Sequence, residues 1–222
     1  MKKLFLIVAL AVSAIAAQAQ KAEKGDFNIG LTVGFGMADI RVEDRADDQQ
    51  GILNFSLGGV VDYTFADNFF LESGITLQRK GCEFETEDGL FSYTRIVNLW
   101  YVQVPVLLNY KFNLGSVSLI PQVGPYIGYG IGGKTRNETT ISILGEEEVV
   151  EEDEEEEKVD SFGDKEGQFS NRFDFGFRFA GCLGIKERMK ITLGYDLGCL
   201  DLVDDEKSKN GVIFGAFTFY LK

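Results

Sequence analysis

Between Trp100 and Gly133 the chain reads WYVQVPVLLNYKFNLGSVSLIPQVGPYIGYGIGG, two runs of period-two alternation on either side of a short turn. In the first arm Trp100, Val102, Val104, Val106, Leu108 and Tyr110 share one parity. Tyr101, Gln103, Pro105, Leu107, Asn109 and Lys111 share the other. Asn113-Leu114-Gly115-Ser116 supplies turn chemistry. Val117, Leu119, Pro121, Val123, Pro125, Ile127 and Tyr129 then alternate with Ser118, Ile120, Gln122, Gly124, Tyr126, Gly128 and Gly130. Side chains of a strand point alternately to its two faces, so this pattern is a β-hairpin. Each arm exceeds the roughly 9–11 residues with which a tilted strand crosses a bilayer.

The same alternation recurs along the chain. Strands are expected over Asp26–Ile40, Gly51–Phe65, Phe69–Glu83, Tyr93–Phe112, Val117–Gly133, Phe169–Ile185, Lys190–Leu202 and Gly211–Leu221. The sixth is the plainest, with Phe173, Phe175, Phe177 and Phe179 against Arg172, Asp174, Gly176, Arg178 and Ala180. In the last, Phe217, Phe219 and Leu221 compete with Val212, Phe214 and Tyr220, so the pattern leaves its faces open. Short connections at Asp67, Gly115 and Glu187 alternate with long ones near Asp44, Glu87, Glu151 and Asp205. The expected fold is therefore all-β: an eight-stranded antiparallel transmembrane up-and-down β-barrel. Its short turns lie at the periplasmic end and its long loops outside, and residues 134–168 form a long acidic external loop. Ring closure removes the free edges that lipid does not tolerate.

Met1–Ala19 has the layout of a cleaved signal peptide, followed by a single domain over 20–222. Lys2 and Lys3 precede an apolar core, Leu4–Ala16, and Ala17-Gln18-Ala19 forms a small-residue cleavage site. No cysteine follows that site, so a lipoprotein is not indicated. The formal net charge is −13, and ten acidic residues between Glu146 and Glu157 leave −3 for the rest. This balance repels nucleic-acid phosphates and excludes nucleic acid as a partner class. Cys82, Cys182 and Cys199 read as small residues packed in strands; by parity Cys182 and Cys199 fall on opposite faces.

Which face meets lipid follows from side-chain size and charge. An eight-stranded barrel has an interior just wide enough for side chains to fill. Turning Phe173 to Phe179 inward would crowd four rings from one strand into that space. A central Arg aimed at lipid costs about 2–4 kcal/mol. Phe173, Phe175, Phe177, Val102, Val104 and Val106 are thus expected to face lipid. Asp62, Glu72, Lys80, Arg172, Asp174, Arg178 and Asp196 are expected to form an interior charge network. Tyr63, Trp100, Tyr110, Tyr129 and Tyr220 lie near strand ends, where aromatic girdles sit.

The run Tyr101-Val102-Gln103-Val104-Pro105-Val106-Leu107-Leu108-Asn109-Tyr110 resembles a strand of the PorT-like outer-membrane β-barrel proteins. That family, common in Bacteroidetes and often labelled porin family, has the pattern Tyr-hydrophobic-Glu-hydrophobic-Pro-hydrophobic-Leu-Leu-Lys-Tyr there. Gly124-Pro125-Tyr126, Arg172-Phe173-Asp174-Phe175-Gly176 and Gly194-Tyr195-Asp196-Leu197-Gly198-Cys199-Leu200-Asp201-Leu202 agree with it. Gln103 stands where the family often has Glu, and the acidic loop is unusually long. The resemblance covers the mature chain and implies an eight-stranded barrel in the bacterial outer membrane, without implying a pore.

The chain has no histidine, which removes Ser-His-acid triads and ordinary His metal sites. Glu85 and Glu87 read as a solvated loop face, and no cofactor motif is present. The glycines of Gly128–Gly133 open no helix and read as relief of crowding. The acidic run, with Glu151, Glu152, Asp153 and Glu154 as metal-ligand candidates, can concentrate cations or a basic partner. It can equally be a solvated loop extended by self-repulsion, and it lacks the spaced oxygens and turn glycine of a calcium loop. Three function classes follow. The first is a structural or surface-interaction barrel without catalysis, embedded in outer-membrane lipid and meeting an unknown surface or periplasmic protein. The second is a narrow porin-like channel for ions or small solutes. The third is a soluble lipocalin-like periplasmic barrel binding an apolar ligand.

Overall fold

A computed structural model of the chain describes residues 25–42, 49–88, 91–143, 146–150, 159–163, 168–186, 188–203 and 208–221. The signal segment and the Glu151–Glu154 candidates lie outside them. Eight long strands run in chain order: β1 Phe27–Val42, β2 Gln49–Ala66, β3 Phe69–Asp88, β4 Phe91–Tyr110, β6 Val117–Ile143, β9 Phe173–Ile185, β10 Met189–Gly198 and β11 Ser208–Leu221. Three short pieces, β5 Phe112–Asn113, β7 Glu146–Val150 and β8 Val159–Asp160, pair with β6.

Each long strand pairs antiparallel with the next, β4 passing to β6 and β6 to β9. The last, β11, returns to β1 over Ile29↔Leu221 through Val42↔Ser208. The sheet therefore closes with no unpaired edge among these eight strands, as a lipid-embedded sheet requires.

The pleat sorts residues as size and charge require. On β4, Tyr101, Gln103, Leu107 and Asn109 are fully buried, while Val106 and Leu108 are exposed and Val102 and Val104 are half-buried on the outward parity. On β9, Phe173 is 62% exposed, Phe177 is exposed and Phe175 half-buried, whereas Asp174 is buried. The competing parities of β11 resolve with Ile213, Phe217 and Phe219 outward. Val212, Phe214 and Tyr220 turn inward. Tyr220 is thus a lumen residue and belongs to no girdle, its ring standing beside the Lys190 ammonium inside the barrel (below).

A belt of aromatic rings marks the short-turn end of the wall. Phe27 meets Tyr63 at 4.8 Å, Phe69 meets both Phe65 (6.1 Å) and Tyr110 (4.7 Å), and Tyr110 meets Phe112 (4.5 Å). Phe69 pairs with Tyr110 across β3–β4, and ten residues further on Arg79 pairs with Trp100. Ten residues of strand tilted by about 45° rise about 24 Å, the height of a barrel's apolar band. Arg79 and Trp100 therefore stand at its opposite margin.

Two departures from simple alternation shape the long-loop end. Trp100 pairs with Gly132 but Tyr101 with Gly130, which leaves Ile131 as an extra residue on β6. This bulge resets the parity, so that Gly130 and Thr135 both face inward. The segment 134–168, expected as an irregular loop, is instead partly sheet. β6 continues to Ile143, β7 folds back on it from Glu146, and β8 pairs Asp160 with Lys134. The stretch Thr139-Thr140-Ile141-Ser142-Ile143 is rich in β-branched residues, which favour a pleated strand.

Ile127 is 60% exposed on the outward face and pairs with Val104, about halfway between the two margins. Ile127→Arg should lower the unfolding free energy in lipid vesicles by roughly 2–4 kcal/mol. Denaturant titration of wild type and variant checks this.

Candidate functional site

The barrel axis carries two polar clusters and an apolar mouth, stacked from the short-turn end outward. In the first cluster Lys190 of β10 pairs with Glu72 of β3, both buried. Gln122 Nε2 donates to Glu72 Oε1 at 3.1 Å and to Asn109 Oδ1 at 2.9 Å. Asp62 lies opposite Glu72 in the β2–β3 register, and the Tyr220 ring stands 5.8 Å from Lys190 Nζ. In ring order β3 and β10 are four strands apart, so the Glu72–Lys190 pair spans the full diameter of the lumen.

The second cluster is more densely bonded. Lys80 Nζ donates to Asp174 Oδ2 at 2.7 Å and to Gln103 Oε1 at 2.8 Å. Gln103 Nε2 donates in turn to Asp196 Oδ2 at 2.9 Å. Arg178 grips Asp196 through Nε (2.6 Å) and Nη2 (2.7 Å), and Asn210 Nδ2 donates to Asp174 Oδ2 at 3.0 Å. At position 103, where the resembled family often has Glu, the amide of Gln103 accepts from a cation and donates to an anion. An ionised carboxylate could only accept.

The cations are also packed against rings. Lys80 Nζ lies 4.8 Å from the centre of the Tyr126 ring and 5.2 Å from that of Tyr101; the Arg178 guanidinium lies 4.4 Å from Phe214. The quadrupole of each ring face adds attraction where water is excluded. The bulk of Tyr126 is accommodated by Gly176, where a β-carbon would collide with its ring.

Above the charges the lumen turns apolar. Phe162 and Phe169, reached beyond β8, enter the mouth and pack with Ile40, Cys82, Val97, Leu99, Tyr101 and Leu202. Phe162 stands edge-on to Tyr101 at 5.8 Å. Gly130 makes the space, since a β-carbon there would fall within the Phe162 ring. Ser161 secures the insertion: its N–H donates to Gly133 O at 3.1 Å, and its hydroxyl donates to Asn98 O and meets the Thr135 hydroxyl, each at 3.1 Å.

Asp62, Glu72, Lys80, Asp174, Arg178 and Asp196 all lie within the lumen, the first three on β2 and β3 and the rest on β9 and β10. Arg172 shares their parity but stands at the mouth, away from the carboxylates. It donates from Nη1 to Gly130 O at 3.1 Å, and its guanidinium lies 4.9 Å from the Phe162 ring. It is separated from the network because it lies one pleat beyond Asp174 toward the mouth, opposite Gly130, whose N–H donates to its carbonyl at 2.7 Å. Sequence reasoning missed Lys190, whose alternation with Thr192, Gly194 and Asp196 was the available signal. It also missed the inserted Phe162 and Phe169, for which local pattern carries no signal. Cys82, Cys182 and Cys199 are free thiols, the first two buried. Among the described residues no group of three His, Cys, Asp or Glu side chains is placed to hold a metal ion.

A closed eight-stranded ring with lipid-facing aromatics and an ion-paired axis defines a bacterial outer-membrane β-barrel. The chain belongs to the outer membrane protein beta-barrel domain family, whose match covers residues 17–204. No curated protein matches it. Among solved structures it is similar to the Neisserial surface protein A, at 11% identity and TM-score 0.44 over 89% of this chain and 99% of that one. OprG of Pseudomonas aeruginosa gives 13% identity and TM-score 0.42 over 91% and 99%. The attachment invasion locus protein Ail of Yersinia pestis gives 14% and 0.38 over 89% and 99%.

Lys80→Met would leave Asp174 buried without its cation. It is expected to destabilise the barrel by roughly 3–5 kcal/mol, the cost of breaking a buried pair from one side. Lys80→Met with Asp174→Asn should recover part of that loss. Urea denaturation in vesicles, run as a double-mutant cycle, measures both.

Proposed function

We propose that the protein is a PorT-like outer-membrane barrel that neither conducts nor catalyses, and that it acts through its outer rim as a structural or surface-interaction component. The observation that carries this reading is the Glu72–Lys190 pair, which bridges the lumen from wall to wall. Lys80, Gln103, Asp196 and Arg178 fill the next level, and Phe162 and Phe169 cover the mouth. An ion would have to break each of these contacts in turn.

The rim is where the chain departs most from a minimal barrel. β3 and β4 remain paired out to Asp88↔Phe91, and β6 and β7 out to Ile143↔Glu146. These hairpins project on the long-loop side, which faces outward in barrels of this class. The acidic run that begins at Glu146 suits a partner of basic surface, since dense carboxylates steer cations toward them.

Planar-bilayer recording is the test. Purified protein, shown to be folded by heat-modifiable gel mobility, should insert without discrete conductance steps. Reproducible unitary steps from folded wild-type protein would overturn the closed-lumen reading in favour of a narrow channel.

A further inference from the structure

Arg79 on β3 is accounted for neither by lipid packing nor by the lumen. Its parity is that of Leu71, Ile75 and Leu77, all exposed on the outward face, while its neighbours Gln78 and Lys80 are buried inside. Its guanidinium donates through Nε to Asn98 Oδ1 at 2.8 Å, and Nη2 donates to the same oxygen. Asn98 is neutral, and among the described residues neither the Arg79 guanidinium nor the Lys134 ammonium makes an ion pair with a carboxylate, although Asp160 stands opposite Lys134 in the β6–β8 register. The next cation along β6, Arg136, is already paired with Glu138 at 2.9 Å.

The register brings these groups together. Asn98 pairs with Gly81 on one side and with Lys134 on the other, and Arg79 pairs with Trp100. Lys134 is exposed and lies outward, since Thr135 beside it is buried. Arg79, Asn98 and Lys134 thus form a line across three strands of the outer wall, next to the indole of Trp100. As the strand rise shows, that line lies at the margin of the apolar band on the long-loop side. A charge buried at mid-depth would be expelled; at this margin the cost falls to about 0–1 kcal/mol and a headgroup is within reach.

We infer that Arg79, Asn98 and Lys134 form a binding site for the phosphate of an outer-leaflet lipid. Asn98 fixes the guanidinium in place by taking Nε and Nη2 on one oxygen. The remaining donors of Arg79 and the ammonium of Lys134 are then free to meet a phosphate held at headgroup height. Arg suits this role because its planar fork matches phosphate oxygens, and Lys contributes a point charge. Trp100 supplies the apolar shelf on which the adjoining acyl chain rests. The site takes a lipid-borne phosphate in preference to a soluble one, because the flanking wall of Leu77 and Trp100 rewards the attached hydrocarbon.

Trp100 is the only tryptophan in the chain, so its emission reports on this site alone. The protein is reconstituted in nanodiscs of a phosphate-free digalactosyl diacylglycerol host containing increasing mole fractions of monophosphoryl lipid A, or of the same glycolipid after dephosphorylation. The Trp100 emission should titrate with the phosphorylated lipid and stay flat with its dephosphorylated counterpart. Inorganic phosphate in the buffer should not displace the lipid. Arg79→Gln should raise the half-saturating mole fraction about tenfold, the size of one charge-assisted contact. Lys134→Gln, a change at an exposed side chain, should raise it less and keeps the test open if Arg79→Gln does not fold. Equal response to the dephosphorylated lipid, an unchanged titration in folded Arg79→Gln or Lys134→Gln, or displacement by inorganic phosphate would each overturn the assignment.

Discussion

Ionised side chains in a membrane-spanning wall have two places to go, the bilayer or the axis. The bilayer rejects them at a cost of several kcal/mol near its centre, so the axis takes them. Once inside, they must be paired and hydrogen-bonded, because an isolated charge in a dry lumen is as unfavourable as one in lipid. The Glu72–Lys190 and Lys80–Asp174 pairs, together with the Arg178–Asp196 fork, satisfy that requirement. Each joins strands brought near only by ring closure or by neighbouring pairing. Strand parity on β3, β9 and β10 keeps these groups inside and apposed.

Much of this arrangement was legible in the residues themselves. β9 reveals its faces because four phenylalanines alternate with charged and small residues, and lipid and lumen ask for opposite chemistries. The faces of β11 could not be read that way, since both parities are apolar. Phe214 and Tyr220 turn inward because Arg178 and Lys190 offer their cations to ring faces there, a relation between residues far apart in sequence. Gln103 is a similar case. Its parity fixed its side of the sheet, but its role as a bridge depends on Lys80 and Asp196 arriving from two other strands.

The mouth was the least legible part. Phe162 and Phe169 lie in a segment with no periodicity, and their insertion depends on a cavity floored by Tyr101 and opened by Gly130. Arg172 shows how narrow the margin is. Sequence parity groups it with Arg178, yet its height along the wall leaves it at the rim beside Phe162, bonded to a backbone carbonyl. The bulge at Ile131 has a comparable effect on β6, shifting inward the residues that Ser161 then grips.

The Glu72–Lys190 bridge joins residues separated by 118 positions, and Lys80–Asp174 joins residues separated by 94. Both pairs need the wall to curl until β3 faces β9 and β10 across the lumen. During insertion these charges are therefore unmatched while the sheet is still flat, and by the same reasoning a closed barrel cannot flatten without exposing them again. Their effect falls on the rate of opening, and the barrel's persistence in the membrane rests on a slow exit as much as on its depth of stability.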